Sequence, residues 1–207
     1  MQVYARLNFM IPEYFAVVGA IVASLGGLYY LYETITGKSK PNRVTWMLWA
    51  LFPMITFIAQ KVQGVEGVTW VTFASGFTPL LIVVASFANK QAYWKTTKSD
   101  YYVLVAALAG IALWAITNTP NIAIMFAIIA DAIAALPTVI KCFRHPETES
   151  WRAYALSTVG FTIGVLSISE WKFENYSFVI YLDAVNFIMA ILSSRSNKAK
   201  SLHTEVE

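Results

Sequence analysis

Seven stretches of the chain are almost continuously apolar, and polar residues collect in the short segments between them. The apolar stretches run over residues 14–34, 44–60, 69–88, 101–117, 121–140, 152–169 and 175–193. Each is about 17–21 residues, near the 20 or so that an α-helix needs to cross a 30 Å hydrocarbon core. Membrane β-strands would be about half as long and would alternate apolar with polar side chains, which these do not. The pattern predicts an all-α integral membrane protein with seven transmembrane helices. The first stretch, FAVVGAIVASLGGLYYLY, is longer than a signal-peptide core and is preceded by Arg6 and Glu13, so it reads as a retained helix.

Composition agrees with this pattern. Charged residues make up 13% of the chain and the mean hydropathy is +0.56, whereas a soluble domain carries about a quarter charged residues. A single cysteine, Cys142, rules out an internal disulfide, and the two histidines, His145 and His203, lie in charged, loop-like surroundings. No metal-ligand spacing, nucleophile motif or phosphate loop occurs, so neither enzyme activity nor a cofactor is expected.

The placement of basic residues says more than the net charge. Three lie in each of four segments: 34–43 (Lys38, Lys40, Arg43), 89–100 (Lys90, Lys95, Lys98), 141–152 (Lys141, Arg144, Arg152) and the tail (Arg195, Lys198, Lys200). Arg6, Lys61 and Lys172 lie on the other side and complete the fifteen. The positive-inside rule then puts the twelve-charge side in the cytoplasm of a cell-membrane protein, with the N-terminus outside. Basic residues scattered this way do not form a nucleic-acid surface. The last apolar stretch contains no lysine, which excludes a retinal Schiff base.

An internal repeat is visible. Residues 26–60 set against 131–165 match at seven positions, among them Pro41 with Pro146 and Trp46 with Trp151, a proline and a tryptophan five residues apart in both turns. An aromatic follows three residues after each tryptophan, Trp49 and Tyr154. After a three-residue slip, Ser75 pairs with Asp183 and Thr78 with Asn186. The expected organisation is a first three-helix repeat (1–88), a linker helix (89–120), a second repeat (121–194) and a cytoplasmic tail (195–207). The odd linker helix makes the repeats parallel, and transporters built this way hold their solute between the repeats near the bilayer midplane.

This 3+1+3 plan, with the stretch LPTVIKCFRHPETESW at 136–151, resembles the PQ-loop superfamily, which includes the SWEET sugar transporters. Pro137 stands where that family has its proline, and Thr138 where it has glutamine; Tyr32 and Glu33 occupy the pair in the first repeat. The resemblance implies two parallel three-helix bundles and makes Pro137 a candidate hinge, with Pro53 in the second helix as another. It also implies a solute-binding asparagine in the last helix at Asn186, whose repeat partner is Thr78. Nicotinamide-riboside-type carriers share a similar plan, so the resemblance does not fix the solute.

The residues themselves supply further candidates. Asp131 and Asp183 each interrupt an apolar span. An ionised carboxylate there costs about 2.5–3.5 kcal/mol on insertion scales, so each should face the bundle interior or water. They read as solute, proton or cation sites, or as locks between helices. Trp49 and Trp114 sit inside spans where an aromatic face can stack on a solute, while Trp46, Trp70, Trp94, Trp151 and Trp171 read as interface anchors. Gly26, Gly27, Gly76, Gly160 and Gly164 read as sites of close helix packing. The expected function is transport of a small polar solute (sugar-like, nucleoside- or vitamin-like, or an amine) by alternating access, facilitated or coupled to protons or cations. The alternative is a non-transporting receptor or scaffold. One chain holds both bundles, so a monomer suffices, and an oligomer is compatible with the same pathway.

Overall fold

A computed structural model describes residues 11–92, 94–98, 100–105 and 119–204, with side chains described as far as Arg195. The described residues are helical and loop, without strands. The helices are α1 (Phe15–Ile35), α2 (Arg43–Val62), α3 (Thr69–Ala88), α4 (Pro120–Arg144), α5 (Trp151–Leu166) and α6 (Phe173–Thr204), with a single 3₁₀ turn at Pro146–Thr148. Residues 100–105 are helical as expected for the start of the 101–117 stretch; the rest of that stretch, with Trp114, lies outside the described residues.

Five helices, α1 to α4 and α6 over Phe173–Arg195, are long and apolar enough to cross a membrane. α5 has 16 residues, about 24 Å at 1.5 Å per residue, and falls short of the 18 or so that a predicted span needs. It is shorter than its apolar run because Ser167 caps it and Ile168 is already packed into the core beyond it. α6 runs the other way, continuing to Thr204 through the expected tail.

Local chemistry sets the helix ends. The Asn42 side chain accepts hydrogen bonds from the Val44 and Thr45 amides and starts α2, and Ser150 does the same for α5 through the Ala153 amide. Pro120 begins α4, where its missing N–H costs nothing. Prolines 53, 79 and 137 sit inside α2, α3 and α4.

Two sets of loops define two ends. The amide of Lys40 donates to the Thr148 carbonyl and that of Trp94 to the Pro41 carbonyl. Asn42 Nδ2 donates to Asp100 Oδ1 (2.6 Å), and the Arg195 guanidinium lies over the Phe143 ring. The four basic segments therefore meet at one end, termed here the basic end. At the opposite end the Ile11 amide donates to the Leu166 carbonyl and Gln60 to the Glu174 carbonyl.

The helix pairing is a closed ring. α1 packs on α3, α3 on α2, α2 on α4, α4 on α6, α6 on α5, and α5 back on α1. The backbones of α1 and α2 do not pack side by side, nor do those of α4 and α5; between α1 and α2 the contact is made by the Tyr30 and Trp46 rings. The α1–α5 seam is the closest approach. A Cβ on Gly160 would lie 2.3 Å from the Ala23 nitrogen, and one on Gly19 would lie 2.6 Å from the Gly160 carbonyl oxygen. Only glycines allow backbones so near, as the small-residue packing of membrane helices requires. Large apolar side chains such as Ile21, Leu25, Val84, Ile129 and Phe187 point outward and are exposed, an arrangement suited to lipid rather than water.

Candidate functional site

The ring of helices surrounds a partly open cavity of about 60 Å³ between two apolar clusters. All six helices contribute to its wall. Of the residues singled out in the sequence, Trp49, Pro53, Thr78, Asp131 and Asn186 line it. The alignment pairs also meet there: Gly26 and Asp131, Trp49 and Tyr154, and Thr78 and Asn186, each pair from corresponding helices. The apolar portion of the wall includes Phe161, Leu182 and Met189.

Aromatic side chains form the part of the wall nearest the basic end. The rings of Tyr30 and Trp46 lie 4.3 Å apart, those of Trp46 and Trp49 meet edge to face at 5.1 Å, and Tyr154 lies 5.9 Å from Tyr30. Trp46 was expected at the membrane interface. It is instead buried, because Asn42 starts α2 four residues earlier and turns Trp46 onto the same helix face as Trp49. Trp70 and Trp171 are half exposed near the opposite end, as interface anchors would be.

Behind the aromatics lies an ion pair that sequence reasoning missed. Lys141 Nζ is 2.7 Å from Glu149 Oε1, with both side chains almost wholly buried. The hydroxyls of Tyr30 and Tyr154 both donate to Glu149 Oε2, at 2.8 and 2.7 Å. Lys141 also donates to the Lys40 carbonyl and sits over the Trp94 ring at 4.7 Å. The cluster ties α1, α4, α5 and the two basic-end turns together just below the cavity. Lys141 is thus not one of the solvated topology charges it was counted among.

The polar groups within the cavity are few. Thr78 donates to the Ala74 carbonyl and Asn186 to the Leu182 carbonyl, one turn back along their own helices. Asp131 accepts from the Tyr181 hydroxyl through Oδ2 at 2.5 Å, while its Oδ1 has no partner. Two expected site residues stand apart. Asp183 does not reach the cavity; it is half exposed on the outer side of the α5–α6 pair and accepts from Thr162 at 3.0 Å. A three-residue step leaves Asp183 and Asn186 about 60° apart around the helix, and the edge of the cavity wall falls between them. Pro137 lies one turn from Lys141 and outside the cavity wall.

Among the described residues no group of histidine, cysteine and carboxylate side chains could hold a metal ion. No family model, curated protein or solved structure matches the chain. Its class is therefore stated from structure alone: an α-helical protein with five helices long and apolar enough to cross a membrane, arranged among the described residues around a small cavity.

Proposed function

We propose that the protein is a multi-pass membrane transporter that moves a small polar solute by alternating access between two parallel three-helix bundles. One bundle is α1–α3 and the other α4–α6, joined through the 89–120 segment. The observation that carries the reading is the cavity wall, where the aligned pairs Trp49/Tyr154 and Thr78/Asn186 face one space from corresponding helices. The ring order supports it, since α3 lies between α1 and α2 as α6 lies between α4 and α5. The bundles then meet at two related seams, α1–α5 and α2–α4.

Basic segments gathered at one end support a cytoplasmic location for that end and an outside N-terminus. In this reading the Lys141–Glu149 cluster closes the cytoplasmic exit, and Pro53, in the cavity wall, is the better placed of the two candidate hinges. The 60 Å³ cavity is smaller than the 300 Å³ or so of an ordinary ligand pocket, which fits a small solute. Solute gradients, or coupling to protons or cations, would supply the driving force.

Uptake into proteoliposomes of labelled sugars, nucleosides and amines tests the proposal. One class should enter saturably, and Asn186→Ala should abolish that entry in a protein that still folds. Absence of saturable flux for every class would favour a receptor or scaffold that keeps the fold without transport.

A further inference from the structure

Among the described residues lining the cavity, Asp131 is the one carboxylic acid side chain; no lysine, arginine or histidine joins it. Its Oδ1 is buried without a hydrogen-bond partner. The same holds for the indole nitrogens of Trp46 and Trp49, two residues whose side chains belong to the same cavity wall. Buried polar groups are nearly always paired, and leaving one unpaired is costly. Three around one cavity, two donors and one acceptor, describe what an occupant must offer: a donor for the carboxylate and an acceptor for the indoles.

The remaining wall selects further. Tyr30, Trp46, Trp49 and Tyr154 present aromatic rings, which attract a cation through their faces. A carboxylate held in an apolar span is itself stabilised by a cation and would repel an anion. A sugar ring needs a hydrogen-bond partner for each hydroxyl, and the wall offers few, since Thr78 gives its hydroxyl and Asn186 one of its two amide hydrogens to their own helices. Size narrows the choice again. An engineered cavity of about 150 Å³ holds benzene, so about 60 Å³ suits a solute of a few heavy atoms.

We infer that the cavity binds a small protonated amine bearing a hydrogen-bond acceptor, an amino alcohol of ethanolamine size, with its ammonium on Asp131 and its hydroxyl at Trp46 and Trp49. This rests on the reading of the cavity as the solute site, and adds the solute's charge and class to it.

The test is equilibrium binding by calorimetry on the full chain in nanodiscs. Ethanolamine is compared with ethylene glycol (neutral, same size), glycolate (anionic), methylammonium (no acceptor) and glucose. Ethanolamine should bind saturably, while ethylene glycol, glycolate and glucose should not. Asp131→Asn keeps an acceptor for Tyr181 but removes the charge, and should weaken ethanolamine about tenfold or more, or 1.4 kcal/mol per factor of ten. Asp183→Asn, off the cavity, should leave it unchanged. Should Asp131→Asn not fold, Trp49→Phe keeps the ring and loses the N–H. It should weaken ethanolamine and spare methylammonium, a split that a packing defect would not give. Binding of ethylene glycol or glucose as tight as ethanolamine, or wild-type ethanolamine affinity in Asp131→Asn, would overturn the inference, as would failure of both amines to bind. Nanodiscs carry no gradient, so the two readings fail separately: amine binding without flux sinks transport alone, and sugar flux without amine binding sinks the amine alone.

Discussion

Lys141 and Glu149 are the most consequential pair of side chains that pattern reading passed over. With both charges removed from water, their attraction is worth having only while each keeps its other partners, here two tyrosine hydroxyls and a backbone carbonyl. Glu149→Ala leaves an ammonium buried without its counter-charge. It should lower stability by about 3–5 kcal/mol, read as a large fall in the thermal midpoint of the purified protein. Glu149→Gln keeps an acceptor for Tyr30 and Tyr154 and should cost less. Equal losses from the two substitutions would mean that the lost charge accounts for the whole effect and the tyrosine hydrogen bonds add nothing. Individual residues divided sharply in how well the sequence revealed them. Asp131 and Trp49 were visible because a carboxylate or an indole inside an apolar span has few reasons to be there. Glu149 was hidden because PETES reads as a solvated turn, and only the fold brings Tyr30, from 119 residues earlier, onto its carboxylate. Asp183 shows the converse: its depth in the span was legible, but the side of the ring it faces depended on how α6 is rotated.

At the scale of elements, α1 and α5 are held by backbone contact and α2 and α4 by side chains. Thr45 of α2 donates to the Ala134 carbonyl of α4 at 2.9 Å, whereas Gly19, Gly26 and Gly160 bring the other seam together directly. Gly160→Ala meets the Ala23 nitrogen and the Gly19 carbonyl, neither of which can move without shifting a helix. Gly76→Ala meets the Met54 side chain at 3.0 Å and the Ala50 carbonyl at 3.1 Å, a tight but accommodating fit. Gly160→Ala should therefore destabilise by about 1–3 kcal/mol and Gly76→Ala by clearly less, compared by thermal unfolding in one detergent. The reverse order would contradict the assigned seam. Pro53 makes a kinetic prediction at the same scale. Pro53→Ala restores a helix hydrogen bond beside the cavity, and should slow uptake several-fold while solute binding persists. Helix positions were legible to within a few residues for α1 to α4, because a bilayer imposes a simple rule on length and polarity. The end of α6 was not, because Asn, Lys, Ala and Ser at 196–201 continue a helix into water without an apolar signal.

For the molecule as a whole, the sequence repeat proposes which helices correspond but says nothing of how they close. Proline and tryptophan at matched spacing identified the turns; the ring order and the two seams follow from packing, which no single-chain pattern encodes. The basic segments converge on one end through hydrogen bonds between loops, so the charge asymmetry of the sequence is also an asymmetry in space. A cavity walled by both repeats has functional meaning if each side of the membrane can reach it in turn, and this can be measured without knowing the solute. With the native thiol removed as Cys142→Ser, Ser75→Cys places a single cysteine in the cavity wall. In sealed vesicles, a small membrane-impermeant thiol reagent is added to the outside or the inside separately. Alternating access predicts labelling from both sides, each slowed by solute; labelling from one side only, or from neither, would contradict it.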